Sequence, residues 1–201
     1  VDTGEREIDG STIANFDGKA RGKVNIQEIL SQSLNMGSVF LMEQLGKDRF
    51  RNYMHAYGLG EKTGIDLPNE ASGNLKNLES TRIIEYATAS FGQGISMTPI
   101  ELTRALAALA NGGVLVDPYL VEEVRFENGG VVAKKINEPR RILKEETSKT
   151  ITRMLVEVVD KKLANGHGKI SGYSVAAKTG TAQIASASSR GYSADEYLHT
   201  F

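Results

Sequence analysis

An α+β fold, with helices packed on an antiparallel sheet, is what this sequence predicts, and three observations carry it. Apolar residues recur at helical spacing through most of the first 110 positions. Short β-rich runs broken by Asn128-Gly129-Gly130 follow, with the signature of a hairpin. A long amphipathic segment and two further β-like runs come last. Helices and strands segregated in this way, rather than alternating strictly, are the mark of α+β architecture. The 201 residues fit a single domain, and no repeat or linker divides them.

The first two dozen residues are polar and glycine-bearing, ending in Asp17-Gly18-Lys19, and read as an irregular loop. Asn25 is placed to cap a short helix over residues 26–31. Ser33-Leu34-Asn35 then falls at a break between helices. The next helix is predicted from Met36 to Leu45, with Val39, Met42 and Leu45 inward. Another follows from Lys47 to Tyr57, with Phe50, Tyr53, Met54 and Tyr57 inward and Gly58 as its left-handed cap. Residues 58–79 are loop-like, and Ser80 to Ser90 reads as helix.

Thr98, Pro99 and Glu101 spell a helix start: N-cap, first-turn proline and capping box. Ile100, Leu102, Leu106 and Leu109 continue that helix until Asn111-Gly112-Gly113 stops it. Val114–Val116 and Leu120–Phe126 read as strands, the second leading through the Asn128–Gly130 turn to Val131-Val132. A long helix is predicted from Lys144 to Asn165, its face marked by Ile151, Met154, Leu155, Val158, Val159 and Leu163 and its end by Gly166 and Gly168. Tyr173–Ala177 reads as a buried strand, Ala185–Ser189 as a Ser-rich connection, and a last strand begins at Glu196.

Composition bounds the chemistry. Hydrophobic content of 40%, charged content of 24% and a net charge of -1 describe an ordinary globular chain without an electrostatic grip on nucleic acid. No cysteine exists, so disulfides, thiolate metal sites and a thiol nucleophile are excluded; this suits an exported protein. His55, His167 and His199 lie far apart and lack metal-ligand spacing. No run reaches the roughly 18 apolar residues of a membrane span. The chain starts at Val1 and ends on Phe201 without a turn or cap, so it reads as a piece of a longer protein.

The chemistry concentrates in two places. Lys178-Thr179-Gly180-Thr181 stands directly behind the predicted strand from Tyr173. A lysine, threonine hydroxyls and a glycine that admits a close backbone approach can together line a pocket for an anion. Lys62-Thr63-Gly64 is a second copy in a turn-rich stretch, so the tripeptide alone decides nothing. Far upstream, Ser33 offers a hydroxyl that both donates and accepts a proton, and Asn35 an amide that can donate to a carbonyl. Read singly, Ser33 and Asn35 are equally a capping pair, and Lys178–Gly180 equally a strand end; their joint occurrence favours a site. Together they could support nucleophilic acyl transfer, although nothing in the chain shows the attacking atom. A phosphate loop is rejected, because Gly168-Lys169 is followed by isoleucine and Lys62-Thr63 is preceded by glutamate. The acidic pairs Glu122-Glu123, Glu145-Glu146 and Asp195-Glu196 read as solvated charges.

These residues resemble the second and third motifs of penicillin-interacting serine enzymes, Ser-x-Asn and Lys-Thr-Gly. The whole chain resembles the transpeptidase domain of class B penicillin-binding proteins. Gly58–Pro68, Phe91-Gly92-Gln93-Gly94, Thr98–Leu102 and Thr181-Ala182-Gln183 also look like that family, in the right order. The resemblance assigns the upstream Lys-Thr-Gly to a loop matched elsewhere in the pattern.

The resemblance implies the serine β-lactamase/DD-peptidase-like fold, incomplete at both ends, with residues 1–201 a partial transpeptidase domain. It implies D-alanyl-D-alanine transpeptidation of peptidoglycan stem peptides through a serine acyl-enzyme, with β-lactams acylating the same serine. Ser33 would join the proton relay, Asn35 would bind the substrate amide, and Lys178 would complete the relay's electrostatics. Thr179 and Thr181 would contact the substrate carboxylate, Gly180 would leave room, and the Thr181 backbone would help form the oxyanion hole. No cofactor, metal or nucleic acid is implied. Expected partners are stem peptides, β-lactams and proteins of the division or elongation machinery. The expected location is extracytoplasmic, on a parent anchored by an N-terminal membrane helix outside this chain.

One departure matters: no serine here has a lysine three positions on, so the family's nucleophile motif is missing and the chain itself is expected to be inactive. The short connection from Thr181 to Glu196 points to the division-specific branch. Alternatives are a β-lactam sensor domain, a class D-like β-lactamase, or a non-catalytic module binding wall peptide or partners.

Overall fold

The computed structural model describes residues 1–163, 167–185 and 192–200. They fall into two compact units: 1–47 with 76–95 and 151–201, and 48–75 with 96–150. Among the described residues no helix is long and apolar enough to cross a membrane.

The first unit opens with a hairpin, where the sequence predicted an irregular loop. Strands β1 (Glu5–Ile8) and β2 (Ser11–Ala14) pair antiparallel, with Glu5 opposite Ala14 and Ile8 opposite Ser11. Asp9 and Gly10 both have positive φ, 49° and 76°, the requirement of the tight hairpin turn whose twist matches its strands. Ile8 and Ile13 are buried beneath an otherwise polar ribbon, which is why the apolar pattern was too sparse to announce strands.

Helix α1 (Ile26–Gln32) starts at a complete capping box, Asn25 with Glu28. Helix α2 (Asn35–Leu45) follows, with Val39 and Met42 buried as the spacing predicted. Gly37 lets α1 and α2 meet: a Cβ there would stand 2.5 Å from Ile29 Cγ2. A 3-10 turn (Lys76–Glu79) leads to α4 (Ile83–Ala89), shorter than the predicted helix from Ser80. Tyr86 is buried there, its hydroxyl donating to the Leu78 carbonyl. The Lys47 ammonium lies 5.4 Å from the Tyr86 ring centre, within cation–π range.

Helix α6 (Glu145–Lys161) belongs to this unit from Ile151 onward and buries Val158 and Val159. Strands β7 (Gly180–Ala185) and β8 (Tyr192–Thr200) pair antiparallel, with Gly180 opposite Thr200. β8 thus begins before the predicted Glu196. Asn165 and Gly166, predicted at the end of α6, and Ser186–Ser189 lie outside the described residues, as do the side chains of Asp195 and Glu196.

The buried strand predicted at Tyr173–Ala177 is not formed. This segment is irregular, and Tyr173 is 74% exposed. The antiparallel β7–β8 ladder starts at the Gly180–Thr200 pair, so this segment lies ahead of the ladder.

In the second unit, α3 (Lys47–Ala56, here from Asp48) is half-buried at best, and Tyr53 is exposed against expectation. Gly58 ends the chain turn after α3 at φ 71°, as predicted. Helix α5 (Pro99–Ala110) has the predicted Thr98/Glu101 capping box. Its inward face carries Glu101, Arg104, Ala105 and Ala108, while Leu102 and Leu106 are exposed. The two charged residues can be buried because their partners are in place. Glu101 accepts from the Gly73 and Thr98 N–H groups, each at 2.8 Å. Arg104 reaches the Gly58 carbonyl at 2.8 Å, Asp117 at 3.2 Å and Glu61 at 3.3 Å.

Strand β3 (Val114–Leu115) pairs with an unpredicted strand, β6 (Arg140–Arg141). The predicted hairpin is present as β4 (Glu123–Arg125) and β5 (Val131–Ala133), with Glu122, Glu123, Glu145 and Glu146 all exposed.

Candidate active site

The Ser33–Asn35 break is built from three residues with different tasks, all in the first unit. Ser33 ends α1 in the left-handed region, φ 52° and ψ 48°, where a residue carrying a Cβ is uncommon. Its side chain is exposed. Leu34 is extended and only 1% exposed, so its burial anchors the kink from beneath. Asn35 opens α2, and its amide donates to the Ala14 carbonyl of β2 at 2.9 Å. One amide hydrogen and the amide oxygen are left over from that bond.

Lys178 comes to this kink from 145 residues away: its ammonium donates to the Ser33 hydroxyl. A second bond runs from the ammonium to the Thr179 carbonyl at 2.7 Å. Lys178 is half-buried, and desolvation lowers its pKa below the usual lysine value. A lysine that gives up its proton more readily, bonded to a hydroxyl that both donates and accepts, is the makings of a proton relay. Thr179 is half-buried, Gly180 and Thr181 open β7, and Thr181 stands opposite His199 of β8. Ser33 and Lys178 are therefore brought into direct contact, while Asn35 is tied to the β1–β2 hairpin. Lys178 and Thr179 sit just ahead of the strand rather than on it.

Two residues that the sequence reading passed over hold this arrangement. Asn15 and Asp2 are 3% and 5% exposed. The Asn15 side-chain oxygen accepts the Met36 N–H at 3.1 Å, and its nitrogen donates to both Asp2 oxygens at 3.0 Å. The only available signal was a polar residue at the end of a strand that had itself been read as loop.

The second Lys-Thr-Gly is already occupied. Glu70 Oε1 accepts from the Thr63 N–H at 2.7 Å and the Thr63 hydroxyl at 2.6 Å, and Glu70 Oε2 from the Gly64 N–H at 3.1 Å. These bonds, the Thr63 side chain's first, hold the Glu70 carboxyl below the usual carboxylate range. A cavity of about 100 Å³ lined in part by Thr63, Gly64, Tyr119, Lys134 and Asn137 lies beside it in the second unit. Among the described residues no group of three metal-ligating side chains converges.

The family model described as penicillin binding protein transpeptidase domain matches residues 2–201. The chain is 38% identical over 192 residues to stage V sporulation protein D of Bacillus subtilis, covering 90% of this chain and 28% of that protein. It is 34% identical over 194 residues to the peptidoglycan D,D-transpeptidase FtsI homolog of Mesostigma viride, covering 89% and 32%. The crystal structure of penicillin binding protein 3 from Mycobacterium tuberculosis complexed with ampicillin matches with a TM-score of 0.89 at 26% identity, over 98% of this chain and 45% of that one. The chain thus spans about a third of the length of these curated relatives. Its helices and antiparallel strands bear out the α+β expectation, and its neighbours in structure have the fold of penicillin-binding proteins.

Proposed function

The chain belongs to the transpeptidase-domain family of penicillin-binding proteins, and from that premise we propose that residues 1–201 are part of one transpeptidase domain in a peptidoglycan D,D-transpeptidase. The observation that carries this reading is the Lys178 ammonium on the Ser33 hydroxyl. Two motifs far apart in sequence meet in this contact, which supports a proton path between them.

The substrate is a stem peptide ending in D-alanyl-D-alanine. A serine from a Ser-x-x-Lys motif outside these residues attacks the carbonyl between the two D-alanines. The serine oxygen–carbon bond forms, the amide C–N bond breaks, and the departing amine takes a proton. Ser33, bonded to Lys178, passes that proton. The remaining Asn35 N–H holds the substrate carbonyl. The Thr179 and Thr181 hydroxyls and the Lys178 charge receive the terminal carboxylate, with Gly180 giving clearance. The amine of a second stem peptide then attacks the acyl-enzyme and restores the serine. β-Lactams acylate the same serine, a reading supported by a structural relative complexed with ampicillin. The parent works outside the cytoplasm, held by a membrane anchor, alongside proteins of the division or elongation machinery. These 201 residues alone, lacking Ser-x-x-Lys, are inactive.

Intact mass after incubation with penicillin tests this, on the chain and on its full-length parent. An adduct on the parent alone is expected. Any adduct on the 201-residue chain refutes the account of the nucleophile, and no adduct on a folded parent refutes the transpeptidase reading.

A further inference from the structure

We propose that Asp2 and Asn15 are positioning residues, a buried pair that sets the Ser33–Asn35 turn from outside it. The inference rests on the reading of Ser33 and Asn35 as part of the site.

The N-cap of α2 is Leu34, whose side chain has no oxygen with which to cap the first-turn N–H groups. Asn15 supplies the missing acceptor from 21 residues away, taking the Met36 N–H. Which face of the Asn15 amide points at Met36 is fixed from behind. Its NH₂ group is committed to the two Asp2 oxygens and to the Lys19 carbonyl at 3.1 Å, so a flipped amide would set oxygen against oxygen.

Asp2 also holds the other end of the loop. Its Oδ1 accepts the Gly4 N–H at 2.8 Å and the Arg21 N–H at 3.2 Å. Arg21 in turn donates through Nε to Gln32 Oε1 at 3.1 Å, while Asp17 steadies its guanidinium at 2.9 Å. The Ala14 carbonyl, next to Asn15, takes the Asn35 amide.

One carboxylate therefore fixes a loop that grips the chain on both sides of Ser33: Gln32 before it, Asn35 and Met36 after it. Displacing that loop moves Ser33 relative to Lys178 and turns the Asn35 amide. A misplacement of about 1 Å in a catalytic arrangement slows reaction on the order of 100-fold.

The same hairpin carries an internal control. Asp9 Oδ2 accepts the Ile84 N–H at 3.0 Å at the start of α4, a second cap given from outside, on α4 rather than on the turn. Asp9→Gly keeps the positive φ of that position and removes only the cap.

The test uses the full-length parent as wild type, Asn15→Ala, Asn15→Asp, the exchange Asp2→Asn with Asn15→Asp, and Asp9→Gly. The acylation step with a fluorescent penicillin is separated from initial drug binding, and amide hydrogen exchange is followed in the peptide spanning 34–38. Asn15→Ala and Asn15→Asp are expected to slow acylation about 100-fold with little change in initial binding, and to speed exchange at 34–38. Asn15→Asp fails because it faces Asp2 with a second carboxylate; the exchanged pair restores the donor–acceptor match between the two side chains, though not the bond to the Lys19 carbonyl, and is expected to recover part of the lost rate. Asp9→Gly leaves acylation unchanged.

Faster exchange with normal acylation in the Asn15 variants overturns the proposal, as does an equal slowing in Asp9→Gly. If Asn15→Ala does not fold, Asn15→Asp and its rescue decide the matter. If the wild-type parent takes no label, the transpeptidase reading fails, and exchange alone decides: unchanged protection at 34–38 overturns the positioning role, and loss confined there upholds it.

Discussion

Replacing Ser33 by glycine is expected to leave the protein more stable than replacing it by alanine. Both changes remove the hydroxyl that Lys178 contacts, so the difference between them isolates the backbone. At φ 52° and ψ 48°, a Cβ lies too close to the following carbonyl, which costs about 1–2 kcal/mol. Glycine escapes this, but its unfolded chain is freer, which returns about 0.4–1 kcal/mol. The balance favours Gly over Ala by roughly 0.5–1 kcal/mol. At an ordinary helical or extended position the order is reversed, so the sign is diagnostic. Urea unfolding at constant slope measures it, and with a slope of about 2 kcal/mol/M the midpoints separate by roughly 0.3–0.5 M. An alanine variant as stable as the glycine variant would refute a left-handed Ser33. The result bears on the proposed function, because a serine kept where glycine is more stable is strain held at the proposed site. Buried Leu34 and the tied Asn35 are what hold it there.

Glu70 gives a pH dependence with a defined sign. Its carboxyl is held below its usual value of 4.5, so its contribution is present above that pH and is lost as pH falls through the depressed value. Chemical denaturation of Glu70→Gln across pH 6 to 3 should show a flatter acid limb than wild type; a parallel curve means that the Thr63 bonds do not hold in solution. Gly58→Ala should destabilise by about 3 kcal/mol, since the new Cβ would stand 2.0 Å from Arg104 Nη2 and Arg104 is pinned by Glu61, Asp117 and the Gly58 carbonyl. Gly64→Ala, at φ 79° with open space around it, should cost only about 1 kcal/mol, and equal losses in thermal unfolding would refute the steric account.

What the sequence made legible follows from how local each cause is. The helix cap at Asn25, the capping box at Thr98, the buried Val39 and Met42 of α2 and the Asn128–Gly130 hairpin all depend on neighbours within a few residues, and each formed. The N-terminal hairpin escaped because its polar ribbon has only Ile8 and Ile13 inward, although Asp9-Gly10 named its turn. The inward face of α5 was not legible from its leucines, of which Leu102 and Leu106 are exposed. Burial of Glu101 and Arg104 depends on Gly73, Glu61 and Asp117, which no window along α5 contains. Of the site, Ser33, Asn35 and Lys178 could be picked out by type and order. Asn15 and Asp2 could not, because a side chain capping a helix from another element leaves no mark in that helix's own sequence.

The two Lys-Thr-Gly copies show what separates a candidate site from a turn with the same letters. At Thr63-Gly64 the backbone and hydroxyl donors converge on a carboxylate, so the motif is competent to hold one. That carboxylate is Glu70, seven residues on and part of the same loop, and a tethered anion at so high an effective concentration leaves no room for a free one. Downstream of Thr179 no aspartate or glutamate occurs until Asp195. The Lys178 copy thus has no acid close by in sequence, and its lysine bonds instead to Ser33, a neutral hydroxyl that can exchange protons. The distance to the nearest acid on the same loop was readable in the sequence, and it discriminates between the copies where the tripeptide cannot.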